Sequence, residues 1–365
     1  MTPARNDEIW MRRALALARR GEGLTRPNPP VGAVIAKAGR LLAWGFHERA
    51  GGPHAEALAL RAAGRSAKGA TLYVSLEPCS THGRTPPCTE AILRAGIRRV
   101  VVAAADRNPK HAGRGLVFLR RHGIQVATGV CEAGALELLR PFFTWILTGR
   151  PLVTLKLGIT LDGRISDASG HSRWITSPAA LRCVQALRRR ADAVLVGVGT
   201  AVADDPSLMP RPALGRSPFR VVVDSKGRLP ARAKVLTDGF QDRTIVATTR
   251  QCPASIMARW AKAGARVWIL PAARQKVSLA ALVKRLGGEG LLHVLCEGGG
   301  ELAAGLVKAG LVDDFLFFLA PKLLGAKAVP AIGGAGWTLA GAPALSFKSV
   351  RKIGPDLLVH AIRQV

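Results

Sequence analysis

The segments His54-Ala55-Glu56, Glu77-Pro78-Cys79 and Pro86-Pro87-Cys88 constrain this chain more than any others. One imidazole and two thiols form the donor set of a zinc site whose fourth position stays open to water. Such a site requires three separate segments to converge on one point. Gly51-Gly52-Pro53 breaks the chain, and Ala55 to Ala63 has a helical composition, so His54 and Glu56 fall in the first turn of a helix. Residues two apart do not share a face in mid-helix, but near an N-terminus both can point at an ion beyond it. Pro86-Pro87 reads as a second helix start. Cys88 then sits in a first turn, where unpaired N–H groups favour a thiolate. Thr71 to Leu76 reads as the strand that delivers Cys79. Glu56 is a poor fourth ligand so close to His54 and is better placed to move protons for a bound water.

Each residue also has a plainer use. His54 could be a cap, Cys79 and Cys88 could be a disulfide or two buried thiols, and His82 could close a structural zinc site. Taken together, the segments favour catalysis, because His-x-Glu followed by Pro-Cys and a second cysteine is the signature of zinc-dependent base deaminases. Here eight residues separate the two cysteines instead of two, and they include the rigid Thr85-Pro86-Pro87.

The remaining chain supplies scaffolds for two chemistries. Asn6-Asp7 reads as the cap of a helix to Arg20, and the loop Gly21 to Pro30 holds Asn28 between prolines. Strands are expected at 31–36, 41–46, 71–76, 100–104 and 124–127, with a helix at 115–122. Alternating strands and helices imply a sheet covered by helices. Glu132 to Thr148 reads as a closing helix, and Gly149-Arg150-Pro151 as the boundary between domains 1–148 and 151–365. A second sheet starts at Leu152 and leads into a glycine-containing turn at 158–163. Ser177 caps a helix to about Arg190, and a buried strand at 193–198 ends in Gly197-Val198-Gly199-Thr200. Strands follow near 220–223, 244–247, 267–270 and 292–296, separated by helices near 254–263, 277–286 and 300–309, and the C-terminus reads as antiparallel strands. The strand 292–296 runs into Glu297-Gly298-Gly299-Gly300, a turn whose N–H groups can approach a phosphate. Two such turns after buried strands of one sheet make a nucleotide site plausible, although neither is the G-x-G-x-x-G fingerprint.

Composition excludes some classes. The net charge of +29 raises the question of nucleic acid, but the basic residues are spread along the whole chain, and one Tyr with ten Phe provides no stacking ladder. The charge suits phosphorylated substrates. Six scattered cysteines, with metal spacing only in the first pair, suggest a reduced, cytoplasmic protein. There is no signal-like apolar core near the start and no apolar run long enough to span a membrane.

Asn28-Pro29-Pro30-Val31-Gly32, His54-Ala55-Glu56 and the run from Glu77 to Cys88 closely resemble the deaminase half of the bifunctional riboflavin-biosynthesis deaminase–reductase family. Lys156-Leu157-Gly158, Leu161-Asp162-Gly163, Trp174-Ile175-Thr176-Ser177, Asp204-Asp205-Pro206 and Glu297-Gly298-Gly299 resemble its reductase half. The resemblance spans roughly residues 7 to 363. It implies an α/β chain with an N-terminal cytidine-deaminase-like three-layer domain and a C-terminal dihydrofolate-reductase-like domain. It also implies Zn2+ on His54, Cys79 and Cys88, Glu56 as the proton carrier, and Asn28 in the pyrimidine pocket. NADPH would touch Gly158, Trp174, Thr200, Asp204, Ser225, Gly299 and Gly300, and substrate would touch Ser172, Arg188, Leu208, Arg211 and Glu297. Three places depart from the family pattern: Gly300-Glu301 adds a carboxylate beside the phosphate turn, Met209-Pro210 replaces a more polar segment, and Thr89 follows Cys88.

The implied activity is hydrolytic deamination of 2,5-diamino-6-(5-phosphoribosylamino)pyrimidin-4(3H)-one, followed by NADPH reduction of the ribosyl chain to give 5-amino-6-(5-phosphoribitylamino)uracil. Arg188 and Arg211 are the candidates for the phosphate end, since a guanidinium can hold phosphate bidentately. Partners would be small phosphorylated pyrimidines, with a homo-oligomer allowed and neither membrane nor nucleic acid expected. The alternatives are a nucleic-acid or free-base deaminase with an appended nucleotide-binding domain, against which the motifs after Pro151 stand, and a catalytically silent interaction protein.

Overall fold

The computed structural model describes residues 3–81, 86–212 and 217–364. The chain divides into two compact units, Met1–Gly149 and Arg150–Val365. The first unit runs α1 (Pro3–Arg19), β1 (Gly32–Lys37), β2 (Arg40–Phe46), α2 (Ala55–Ala63), β3 (Thr71–Leu76), α3 (Cys88–Arg94), β4 (Arg99–Ala104), α4 (Arg114–Arg121), β5 (Gln125–Thr128) and α5 (Glu132–Thr148). Its sheet has the order β2-β1-β3-β4-β5. β1 pairs antiparallel with β2 and β3, whereas β3, β4 and β5 are parallel.

Strand periodicity explains the layering. Ala33, Ile35, Leu72, Val74, Val100 and Val102 are buried in one core with Ala59 of α2, Ile92 of α3 and Leu119 of α4. Their alternate neighbours Val34, Tyr73 and Val101 are equally buried, on the side covered by α1 and α5. A strand buried on both faces reads as a continuous apolar run and needs helices above and below. The expected N-terminal cap is corrected: α1 begins at Pro3, and Asp7 lies within it. Asp7 takes both guanidinium ends of Arg99 at 2.7 Å and the Tyr73 hydroxyl at 2.9 Å, so its carboxylate joins helix to sheet instead of capping.

The second unit contains β6 (Leu152–Thr160), β7 (Arg164–Ser166), α6 (Pro178–Arg190), β8 (Ala193–Gly197), α7 (Val198–Asp204), β9 (Phe219–Val223), β10 (Thr244–Thr248), α8 (Ala254–Lys262), β11 (Arg266–Ile269), β12 (Ala272–Ala273), β13 (Lys276–Val277), α9 (Leu279–Gly288), β14 (His293–Cys296), α10 (Gly300–Lys308), β15 (Asp314–Ala320), β16 (Val329–Pro330), β17 (Leu345–Ile353) and β18 (Asp356–Arg363). Its main sheet has the order β11-β10-β9-β8-β14-β6-β15-β18-β17. The strands from β11 to β15 are parallel, and β18 and β17 close the sheet antiparallel.

Two local expectations change here. Gly158 to Thr160 continue β6, leaving the turn to 161–163, because β15 pairs with β6 through Thr160. Gly197-Val198-Gly199-Thr200 is the start of the short helix α7 rather than a plain turn. Ser177 does cap α6, its hydroxyl accepting from the Ala180 N–H at 3.4 Å. No helix among the described residues is long and apolar enough to cross a membrane.

Candidate active sites

In the first unit, three element ends meet as the metal reading requires. His54 is the residue before α2, Cys79 follows β3, and Cys88 begins α3. His54 Nδ1 lies 3.3 Å from Cys88 Sγ and 3.5 Å from Cys79 Sγ, and the three donor atoms lie within 4.8 Å of one another. Tetrahedral zinc with bonds of about 2.3 Å to sulfur and about 2.0 Å to nitrogen separates N and S donors by about 3.5 Å. The donor set therefore fits zinc without rearrangement. All six cysteines are free, which removes the disulfide alternative. His82 lies outside the described residues.

The electrostatics point the same way. The Cys88 side chain and the His54 imidazole hold the Cys79 thiol down to about 4, and Cys88, sharing that one negative charge, is pushed up. The Cys88 N–H at the start of α3 donates to Cys79 Sγ at 3.4 Å, so this helix end favours negative charge on that sulfur as well. A dication between the sulfurs would offset the repulsion that keeps the second thiol protonated. Glu56, in the first turn of α2, is 3% exposed, and burial, with the Cys79 charge second, raises its carboxyl to about 7.

A cleft of about 270 Å³ opens over these groups. Asn28 lies in its wall with its amide 3.1 Å from His47 Nε2, and His47 Nδ1 is 3.0 Å from the Pro53 carbonyl. The imidazole thus links Asn28 to the segment that presents His54. Asp106, Asn108 and His111 in the loop after β4, and Phe142 and Trp145 on α5, also line the cleft. Sequence reasoning missed this loop and His47; the turn-forming Asn108-Pro109 was the available signal.

In the second unit, Glu297 gathers the expected groups. Its carboxylate accepts from Arg188 Nε at 2.6 Å and Arg188 Nη2 at 3.0 Å, and Lys156 Nζ stands 3.7 Å away. Arg188 also donates to the Met209 carbonyl at 3.3 Å. Nε and one N–H of each terminal nitrogen are thus engaged within the protein, which leaves the remaining N–H groups for a substrate phosphate. Arg211 is exposed, and its backbone is held by Gln185 and Arg189. Lys156 lies on β6 two residues before Gly158. Burial lowers its amine, Arg188 adds to this and Glu297 opposes it.

Thr200 and Gly299 meet where β8 and β14 end. Gly299 N–H donates to Thr200 Oγ1 at 2.9 Å, and Ser172 Oγ donates to Asp204 at 2.8 Å. Gly300 begins α10, where an added Cβ would lie 2.7 Å from the Pro330 carbonyl. Trp174 is 67% exposed, and Ser225 Oγ accepts the Val277 N–H at 2.9 Å. Leu208 is 2% exposed and packs in the core, so only its backbone is free to reach a ligand. Glu301 does not confront the phosphate turn unpaired: its oxygens accept from the Gly334 N–H at 3.0 Å and Lys276 Nζ at 3.1 Å. Thr89, the third departure, is buried with its hydroxyl unpartnered.

The profile of the RibD C-terminal domain matches residues 151–359, and that of the cytidine and deoxycytidylate deaminase zinc-binding region matches residues 4–104. The chain is 43% identical over 379 residues to riboflavin biosynthesis protein RibD of Escherichia coli (strain K12), covering 98% of this chain and 99% of that protein. It is 44% identical over 320 residues to RibD of Aquifex aeolicus (strain VF5), covering 87% of this chain and 88% of that one. Among solved structures, it superposes on Acinetobacter baumannii RibD with a TM-score of 0.88 at 37% identity, covering 99% of this chain and 100% of the other. It superposes on a Thermotoga maritima diaminohydroxyphosphoribosylaminopyrimidine deaminase/5-amino-6-(5-phosphoribosylamino)uracil reductase with a TM-score of 0.89 at 34% identity, covering 100% of both chains.

Proposed function

This chain belongs to the RibD family of bifunctional riboflavin-biosynthesis enzymes, and from that premise we propose how its own residues divide the two reactions. The first unit is a cytidine-deaminase-like zinc hydrolase and the second a dihydrofolate-reductase-like, NADPH-dependent reductase. Together they convert 2,5-diamino-6-(5-phosphoribosylamino)pyrimidin-4(3H)-one to 5-amino-6-(5-phosphoribitylamino)uracil. The convergence of His54, Cys79 and Cys88 beside the buried Glu56 carries this reading.

His54, Cys79 and Cys88 would hold a zinc ion, whose Lewis acidity would make water a nucleophile near neutral pH. Glu56 accepts one proton of the attacking water at its carboxylate and delivers it to the ring nitrogen, then takes the second from the hydroxyl now on carbon and delivers it to the departing ammonia. Water adds, ammonia leaves, and an amine-bearing ring carbon becomes a carbonyl. Asn28, fixed by His47, orients the ring from the cleft wall.

NADPH supplies the hydride of the second reaction. Gly158, Trp174, Thr200, Asp204, Ser225 and the Gly299-Gly300 turn are the contacts proposed for it. Ser172, the Leu208 backbone, Arg211 and Glu297 with its partner Arg188 are those proposed for substrate, with Arg211 at the phosphate. Lys156, whose Nζ stands 3.7 Å from Glu297, is the donor proposed for the proton needed as the ribose ring opens. Domains 1–148 and 151–365 act on small phosphorylated pyrimidines in the cytoplasm.

Glu56→Gln tests the assignment. It should retain zinc and reductase turnover on the deaminated compound, yet lose deamination by a factor of at least about 100, the usual scale of general acid–base help. Loss of zinc in that variant would show that Glu56 is a ligand.

A further inference from the structure

We propose that Glu77 is a positioning residue for deamination: it docks the loop bearing Asp106, Asn108 and His111 against the Cys79 segment and so sets the substrate-binding wall of the cleft. The inference rests on the reading of that cleft as the deaminase site. Glu77 is 5% exposed, and its two oxygens accept four backbone N–H groups. One oxygen takes Asp106 at 3.1 Å and Gly113 at 3.0 Å; the other takes Gly115 at 2.9 Å and Leu116 at 3.4 Å. No lysine, arginine or histidine pairs with it among the described residues; backbone amides and the N-terminus of α4 stabilise its charge. Gly113, the residue before α4, brings no side-chain cap of its own. A carboxylate from the end of β3 therefore does that work from a distance in sequence.

The placement of these four bonds matters more than their number. Asp106 opens the loop and Gly113 closes it, so one carboxylate holds both ends. Between them the loop is organised internally. Asp106 accepts the Asn108 N–H at 2.8 Å, Asn108 Oδ1 accepts the Lys110 N–H at 3.1 Å, and the Asn108 carbonyl accepts the N–H groups of His111 and Ala112 at 2.8 and 2.9 Å. Such a loop shifts as a body when its ends are released. Glu77 sits two residues before Cys79, so the loop is set directly against a metal-binding segment. The approach is close: a Cβ on Gly115 would lie 2.2 Å from the Pro78 carbonyl. Asp106, Asn108 and His111 all line the cleft, but none is among the three donor residues. Displacing the wall by a fraction of an ångström should weaken substrate binding while leaving the ion and the proton carrier in place.

The test compares wild type with Glu77→Gln, Glu77→Asp and Gly115→Ala in the full chain, measuring zinc content, reductase turnover, and KM and kcat for deamination of the diaminopyrimidine ribotide. Glu77→Gln replaces one acceptor by an amide that faces N–H groups. It should raise KM by about tenfold or more and change kcat by less than about threefold, the signature of lost binding rather than lost chemistry. Zinc content and reductase turnover should match wild type. Glu77→Asp keeps the charge but reaches less far and should fall between the two. If Glu77→Gln does not fold, Gly115→Ala, which leaves the carboxylate intact and displaces α4, should give the same KM-dominated change. Unchanged KM in the folded variants, zinc lost together with kcat, or Glu77→Asp no better than Glu77→Gln would each overturn the proposal. Failure of wild-type protein itself to bind zinc and deaminate would instead refute the deaminase reading.

Discussion

Replacing Glu297 by glutamine removes the anion that two buried cations share. The Arg188 and Lys156 side chains are each 15% exposed and that of Glu297 is 7% exposed. Breaking a buried ion pair by deleting one partner typically costs about 3–5 kcal/mol, because the remaining charge is left in a poor solvent. Arg188 keeps its bond to the Met209 carbonyl, so the low end, about 3 kcal/mol, is expected for the second unit. This is more than a hundredfold in its folding equilibrium, at tenfold per about 1.4 kcal/mol. The sign of the pH dependence follows from the same contacts. Burial raises the Glu297 carboxyl, but Arg188 and Lys156 more than offset it, leaving it below the ordinary glutamate range. A depressed carboxyl contributes stability fully above its unfolded value, and that contribution fades as pH falls through the folded one. The gap between wild type and Glu297→Gln should therefore be full at neutral pH and shrink below about pH 4.3. Urea unfolding followed by tryptophan fluorescence measures it, since Trp260 and Trp268 are buried in this unit. A loss under about 1 kcal/mol, the range of an exposed pair, or a gap that widens on acidification, would refute the reasoning.

Cys88→Ser should release most of the zinc, expected at about one per chain, and abolish deamination, whereas full retention in Cys79→Ala/Cys88→Ser would exclude the site, as metal analysis would show. Arg211→Ala should raise the reductase KM for the phosphorylated substrate severalfold and leave deamination unchanged; unaltered reductase kinetics would remove Arg211 from that pocket. A fragment of residues 1–148 should bind zinc and deaminate, because the unit ending at Gly149 carries its own core. Insolubility or inactivity of that fragment while the full chain works would show that the halves depend on each other.

The local logic of the metal site was legible in the chain because it depends on neighbours in sequence. Gly51-Gly52-Pro53 and Pro86-Pro87 force helix starts at known positions, and apolar periodicity assigned β3 between them. Glu132–Thr148 came out with its bounds because Gly149 takes the left-handed conformation, φ 71°, that ends a helix. Glycine-rich turns pointed to the ends of β8 and β14 for the same local reason. Only the tertiary structure decided which charge meets which. It gave much of the Arg188 fork to Glu297, turned Asp7 from a cap into a partner of Arg99, aimed the Cys88 N–H at Cys79, and paired Glu301 with Lys276. It also brought Glu77 to amides some thirty to forty residues further along the chain. Helix starts and turns are chosen by backbone constraints that act over a few residues. Ion pairs and distant caps are chosen by burial, which exists only once the strands have paired and removed water from both sides.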